Sequence, residues 1–139
     1  MDRVDLQVLA DTRIEEAQAL LGSAPPRPDG AYYLAGYAVE CALKAAIAKL
    51  NNQHDWPEKQ FVDQCHTHDL QRLVRLADLE DDRVLDAGAN AAFAQNWIIV
   101  KDWSERSRYE RHSLRKAQKM VHAVTHQVNG VLPWIKARW

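Results

Sequence analysis

The chain has 139 residues, of which 47% are hydrophobic and 27% charged, and its formal net charge is −1. These are globular values, enough for one domain with its own core, and they exclude a disordered or collagen-like chain. No apolar run approaches the ~20 residues of a membrane span. The opening Met1-Asp2-Arg3-Val4-Asp5 lacks the basic and apolar regions of a signal peptide, and Cys41 and Cys65 are too few for a disulfide framework. The expectation is a cytoplasmic protein in a reducing compartment.

The charge is unevenly placed. Residues 1–100 carry nine Lys or Arg against sixteen Asp or Glu, a balance of −7, whereas residues 101–139 carry nine against three, a balance of +6. A basic segment on an acidic body suits a phosphate-bearing ligand. It equally suits a basic helix that meets acidic ones, within one chain or across a dimer.

The apolar pattern is helical nearly throughout. Leu6, Leu9, Ile14, Ala17, Leu20 and Leu21 follow a 3.6-residue period and predict a first helix over 4–21, stopped by Gly22. Three prolines make 23–30 a loop. A second helix is predicted over 31–50, with Asp29 capping its first turn and alanines suited to close helix approach. Tyr33, Tyr37, Cys41 and Lys44 share one stripe of it, and Glu40 and Lys44 stand at ion-pair spacing. A glutamate within an Ala/Tyr/Leu helix marks Glu40 and Lys44 as a candidate groove.

Residues 51–66 read as irregular, with one short helical turn after Pro57. Thr67 or Asp69 caps a third helix carrying Leu70, Leu73 and Val74. Asp78, Glu80, Asp81 and Asp82 form a break and the acidic first turn of a fourth, over 82–100, with Val84, Leu85, Phe93 and Trp97 among its apolar residues. Residues 97–100 alone resemble a strand, but a strand without a partner is implausible. A polar connection containing Trp103 follows over 101–110. The last long helix starts between Tyr109 and Ser113 and runs to about Val128, Asn129-Gly130 stops it, and Leu132-Pro133-Trp134-Ile135 makes a final turn. The predicted fold class is all-α: an up-and-down bundle of four to five helices in one domain over 1–139.

Three stretches, in order, carry a resemblance. They are Ala31-Tyr32-Tyr33-Leu34-Ala35-Gly36-Tyr37-Ala38-Val39-Glu40-Cys41-Ala42-Leu43-Lys44, then Thr67-His68-Asp69-Leu70-Gln71-Arg72-Leu73, then Asp102-Trp103-Ser104-Glu105-Arg106-Ser107-Arg108-Tyr109 ahead of a long amphipathic helix. Together they resemble the HEPN domain family, over about residues 12–136. The resemblance implies a helical bundle that pairs into a homodimer through its last helices, often beside a nucleotidyltransferase or an antitoxin. Many members are metal-independent endoribonucleases of toxin or defence systems, and others are non-catalytic interaction modules. The catalytic members carry an Arg, a polar residue, and a His, with four to six residues between the Arg and the His. Arg106-Ser107-Arg108-Tyr109-Glu110-Arg111-His112 fits that spacing at the entry of the last helix. Arg115 and His122 also fit it, but in mid-helix. Arg108-Tyr109 is similar to the Arg-Tyr pair of members that commonly lack the catalytic His.

Metal-free RNA cleavage needs an acid or base that titrates near neutrality and a cation for the phosphorane charge. On the resemblance, His112 fills the first role and Arg106 the second, its guanidinium fork matching phosphate oxygens. Ser107, Arg108 and Arg111 assist phosphate binding, and Tyr109 stacks a base. The competing expectation is that Arg106, Arg108 and Arg111 pair with Asp81, Asp82 or Glu110, with His112 an ordinary helix-start residue. Cys65-His66-Thr67-His68-Asp69 gathers ligand-type side chains, yet a zinc site usually needs two spaced clusters. Glycine-rich phosphate loops are absent. No metal and no cofactor are expected. The expected partners are RNA or a nucleotide, a second copy of the chain, and a nucleotidyltransferase or antitoxin, with no membrane.

Overall fold

A computed structural model describes residues 1–52 and 59–139, with side chains described for 1–51 and 62–139. Eight α-helices appear among these residues, and no strand. They are α1 (Arg3–Gly22), α2 (Pro28–Asn52), α3 (Lys59–Gln64), α4 (Leu70–Leu76), α5 (Glu80–Ala89), α6 (Ala91–Lys101), α7 (Leu114–Thr125) and α8 (Val131–Lys136). A 3-10 helix, Glu105–Tyr109, separates α6 from α7. No helix among them is long and apolar enough to cross a membrane.

The all-α class stands, with more and shorter helices than the four to five expected. The predicted fourth helix divides in two. Asn90 takes an extended conformation (φ −139°, ψ 100°), and its side chain accepts a hydrogen bond from Phe93 N, so it ends α5 and caps α6. Asparagine is among the best capping residues, and here capping overrides the run of alanines around it. Val84 and Leu85 belong to the detached α5 and are 55% and 72% exposed rather than core. Residues 97–100 are helical, as expected. The last long helix is shorter than predicted: α7 ends at Thr125, where His126 leaves helical geometry and its Nδ1 accepts from the backbone N–H of Asn129 at 3.0 Å. The short helix expected after Pro57 corresponds to α3, while Pro57 itself lies outside the described residues.

Helix α2 lies at the centre and touches α1, α4, α7, α8 and the 3-10 helix. Its Ala31, Ala35, Ala38, Ala42 and Ala45 are fully buried, and side chains this small let neighbouring helices approach closely. Ile14 and Ala17 of α1, Leu70, Leu73 and Val74 of α4, and Met120 and Val124 of α7 close the core around it. Asp69 caps α4 as expected, accepting from Gln71 N and Arg72 N at 3.0 and 3.2 Å. Asp29 does not cap α2. The helix starts one residue earlier, at Pro28, and Asp29 accepts instead from the backbone N–H of His112 at 2.6 Å. That bond ties the entry of α7 to the start of α2.

Trp103 anchors the 3-10 helix to the bundle. It is 3% exposed, and its indole lies flat over Gly36 of α2, where a Cβ would overlap the ring. Gly36→Ala is therefore expected to lower stability by about 1–3 kcal/mol, the usual cost of overpacking. Gly88→Ala, inside α5 with nothing within 4 Å of its Cβ position, is expected to be neutral or to stabilise by up to ~1 kcal/mol. Denaturant unfolding of the two variants checks the pair, and equal stabilities would contradict the indole contact.

Candidate functional site

Apart from Glu40 and Lys44, the predicted site residues occupy the 3-10 helix and the three residues after it. Ser104 starts that helix, its side chain accepting from Arg106 N at 3.3 Å. Ser107 is buried, and its Oγ donates to the Ser104 carbonyl at 2.6 Å. The buried serine points into the protein, and the side chains around it point out. Arg106, Arg108, Tyr109 and Arg111 are all exposed, Tyr109 by 80%.

These cations are not spent on carboxylates. Among the described residues, Arg106, Arg108, Arg111, Arg115, Lys116 and Lys119 make no ion pair within 4.0 Å. The basic residues that do pair lie at either side of them. Lys101 meets Asp102 at 3.1 Å, Lys136 meets Asp11, and Arg138 meets Asp86 at 2.9 Å and Asp82 at 3.8 Å. Asp82, expected as a partner for the central arginines, thus serves α8 instead.

Aromatic rings support the free cations. The Arg108 guanidinium lies 5.1 Å from the Tyr109 ring centroid and 5.8 Å from that of Tyr33, within cation–π range. Lys116 Nζ lies 4.9 Å from the Tyr32 centroid. Beside them opens a cavity of about 400 Å³ whose lining includes Tyr32, Ser104, Ser107, Lys116 and Lys119, with Asp102 and Glu110 at its wall.

His112 stands apart from this exposed surface. It is 7% exposed, and its ring stacks on Tyr32 with centroids 4.0 Å apart and planes 21° from parallel. Its Nε2 donates to the Ser107 carbonyl at 3.2 Å, and its Nδ1 is buried without a partner among the described residues. The imidazole thus joins the 3-10 helix to α2. The structure brings Ser107 and His112 into contact and leaves Arg106 in solvent. Neither Arg106 nor His112 lines the cavity beside the ridge. His122 of the second match is exposed on α7, edge-on to His126.

Glu40 and Lys44 lie on another side of α2. Glu40 is 1% exposed, and both residues line a cavity of about 430 Å³. The Glu40 carboxylate accepts from Lys44 Nζ at 3.3 Å and from His68 Nδ1. The other ring nitrogen of His68 lies 3.0 Å from Glu105 Oε2, on the first residue of the 3-10 helix. Sequence reasoning placed His68 only at the start of its helix and missed this bridge. The sole signal was its Thr-His-Asp-Leu context, which names no partner 28 residues away.

The thiols are poorly suited to chemistry. Burial, and secondarily the Glu40 carboxylate, push Cys41 up to about 11. Burial also raises Cys65. Among the described residues no three His, Cys, Asp or Glu side chains converge as a metal site.

The chain matches no family model, no curated protein and no solved structure.

Two outcomes follow from this geometry. His112→Ala is expected to lose about 1–3 kcal/mol of unfolding free energy, because it removes a buried, stacked and hydrogen-bonded ring, whereas Arg106→Ala stays within about 0.5 kcal/mol. Chemical denaturation decides, and an unchanged His112→Ala midpoint would contradict the packing. At pH 8, Cys41 is expected to react with a disulfide reagent roughly 100-fold more slowly than an unperturbed thiol, since the raised pKa reduces its thiolate fraction by that factor.

Proposed function

We propose that the chain is a HEPN-like bundle that binds the phosphates of RNA or a nucleotide through the arginine ridge Arg106, Arg108 and Arg111, with Tyr109 as a stacking platform. The observation that carries this reading is that the exposed guanidinium groups of Arg106, Arg108 and Arg111, within six residues of chain, make no ion pair among the described residues. Unpaired arginines beside an exposed tyrosine match the combination that single-stranded nucleic acid recognises: cations for the backbone and a ring for the base. In this reading Ser107 and His112 are positioning residues. They hold the 3-10 helix from below and leave its outer face to the ligand. Pairing of two chains through their last helices, as the resemblance implies, would place two ridges on one assembly.

A second reading is metal-independent RNA cleavage by Arg106 and His112. Its specific support is the unpartnered Nδ1 of His112, a ring nitrogen with capacity left for a proton. It requires the imidazole to leave its stack on Tyr32 and face the phosphate that Arg106 would hold. Burial of the ring favours binding over cleavage. The ridge also suits an acidic face on a nucleotidyltransferase or antitoxin partner, and lack of RNA affinity would favour that module role.

One experiment separates these readings. Single-stranded RNA is titrated into the protein over a range of salt, with EDTA present and the RNA recovered for length analysis. Binding by three arginines predicts a slope of log K against log salt near −2, from about −0.7 per phosphate neutralised. Arg108→Ala should lessen that slope by about 0.7 and weaken binding irrespective of sequence. Intact RNA is expected. Shortened RNA that persists with wild-type protein and disappears with Arg106→Ala would establish cleavage, and salt-independent or absent binding would overturn the ridge as a nucleic-acid surface.

A further inference from the structure

The cavity of about 400 Å³ beside the ridge lies within the size range of small-molecule sites. Its walls differ in character. Ile98 and Ile99 of α6 give it an apolar side, and Ile98 is 51% exposed. Lys116 and Lys119 border it from α7. Asp102 and Glu110, before and after the 3-10 helix, are its two carboxylates.

The two carboxylates are not equivalent. Asp102 is occupied by Lys101 at 3.1 Å. Glu105, the other acid of this stretch, is bound to His68 at 3.0 Å. Glu110 is exposed and makes no ion pair among the described residues, although Arg108 and Arg111 stand beside it in the chain. Its backbone is nevertheless fixed, because its N–H closes the 3-10 helix on the Ser107 carbonyl at 3.2 Å. Burial pushes the Tyr32 phenol up, and the charges of Glu110 and then Asp102 add to the rise, as carboxylates near the ring must. Lys116 Nζ lies 4.9 Å from the centroid of the same ring. One accessible carboxylate and two accessible ammonium groups therefore share this cavity, and the ridge guanidiniums add positive charge beside it.

That combination selects among the bases. An ionised carboxylate only accepts hydrogen bonds, so it pairs best with an edge that presents two donors side by side. Guanine has such an edge, its N1–H beside its 2-amino group. Adenine and cytosine place a ring acceptor next to their amino group, and uracil flanks its single N–H with two carbonyls. Each of those would set a lone pair against the carboxylate. We infer that the cavity is a guanine subsite: the Glu110 carboxylate accepts from guanine N1–H and the 2-amino group, the base lies against Ile98 and Ile99, and Lys116 and Lys119 hold its phosphate. The inference rests on the nucleic-acid reading of the ridge and adds to it a preferred base.

The test titrates the 5′-monophosphates of guanosine, inosine, adenosine, cytidine and uridine into the full chain by ligand-observed NMR. GMP is expected to bind saturably, with Kd on the order of 0.1 mM. AMP, CMP and UMP are expected to bind at least ~10-fold more weakly, the usual worth of a bidentate base contact. IMP, which keeps N1–H and lacks the 2-amino group, should fall between. Glu110→Gln, an exposed change, should weaken GMP ~10-fold and leave AMP within about 3-fold, because an amide sets a donor against one guanine N–H. Lys119→Ala should weaken all five alike. A short oligouridylate and the same RNA with one central guanine tell the two sources of the base apart: tightening of ~10-fold by the guanine assigns the subsite to RNA, and equal binding beside a GMP preference assigns it to the free nucleotide. No saturable GMP binding up to about 10 mM, equal binding of the nucleotides, or a GMP preference that survives Glu110→Gln would each overturn the subsite. The ridge is judged separately by the salt slope of RNA binding, which Glu110→Gln should not lessen.

Discussion

Close approach to α2 is the constraint on which the molecule depends. Alanines at 31, 35, 38, 42 and 45 present almost no side chain, so α1, α4, α7 and α8 pack against it from several sides. A helix enclosed in this way cannot turn a polar face to water. Glu40 is therefore trapped near the centre, and it is held by Lys44 one turn along the same helix and by His68 from the loop ahead of α4. The polar cluster is a consequence of the packing, because a buried carboxylate survives only where donors reach it.

The same helix joins the two regions of interest. Tyr33, Tyr37, Cys41 and Lys44 form one stripe along α2. At one end Tyr33 lies beneath Arg108 of the ridge, and at the other Tyr37, Cys41 and Lys44 line the cavity. Beyond Lys101, which pairs with Asp102, the basic residues of the last third divide into two groups with different physics. Lys136 and Arg138 fasten α8 to Asp11, Asp82 and Asp86, and Trp134 adds a hydrogen bond to Asp86 at 2.8 Å. Those from Arg106 to Lys119 remain in water, partly supported by tyrosine rings. Exposed pairs of the first kind contribute little stability, so their main effect is to set where α8 sits.

Much of the fold was legible because it is local. The 3.6-residue period located α1, α2, α4 and α7, and Asp69 was readable as a cap from its place before Leu70. Asn90 carried an equally valid capping signal, but five alanines and glycines around it, from Ala87 to Ala92, gave no change of period to mark the break. Asp29 was identified as important for a reason that does not hold: Pro28 already occupies the first helical turn, which frees the carboxylate for the His112 amide. The ridge was legible from the excess of basic residues. The burial of His112 was not, because it depends on Tyr32 and Asp29, some 80 residues away, and nothing in its own neighbourhood marks an inward face. The Glu40–His68 contact was hidden for the same reason. Sequence spacing supplied Lys44 as a partner at one helical turn and could not supply a residue brought in by tertiary packing.

The indole of Trp103 rests on bare backbone, and that has a consequence for any effort to move this surface elsewhere. The segment from Trp103 to His112 looks portable, being short, contiguous and exposed on its outer side. Its underside is nevertheless a mould of a particular α2, requiring an empty position where Gly36 stands, an aromatic ring where Tyr32 stands and a carboxylate where Asp29 stands. A host helix without those three positions would receive the arginines and lose their arrangement.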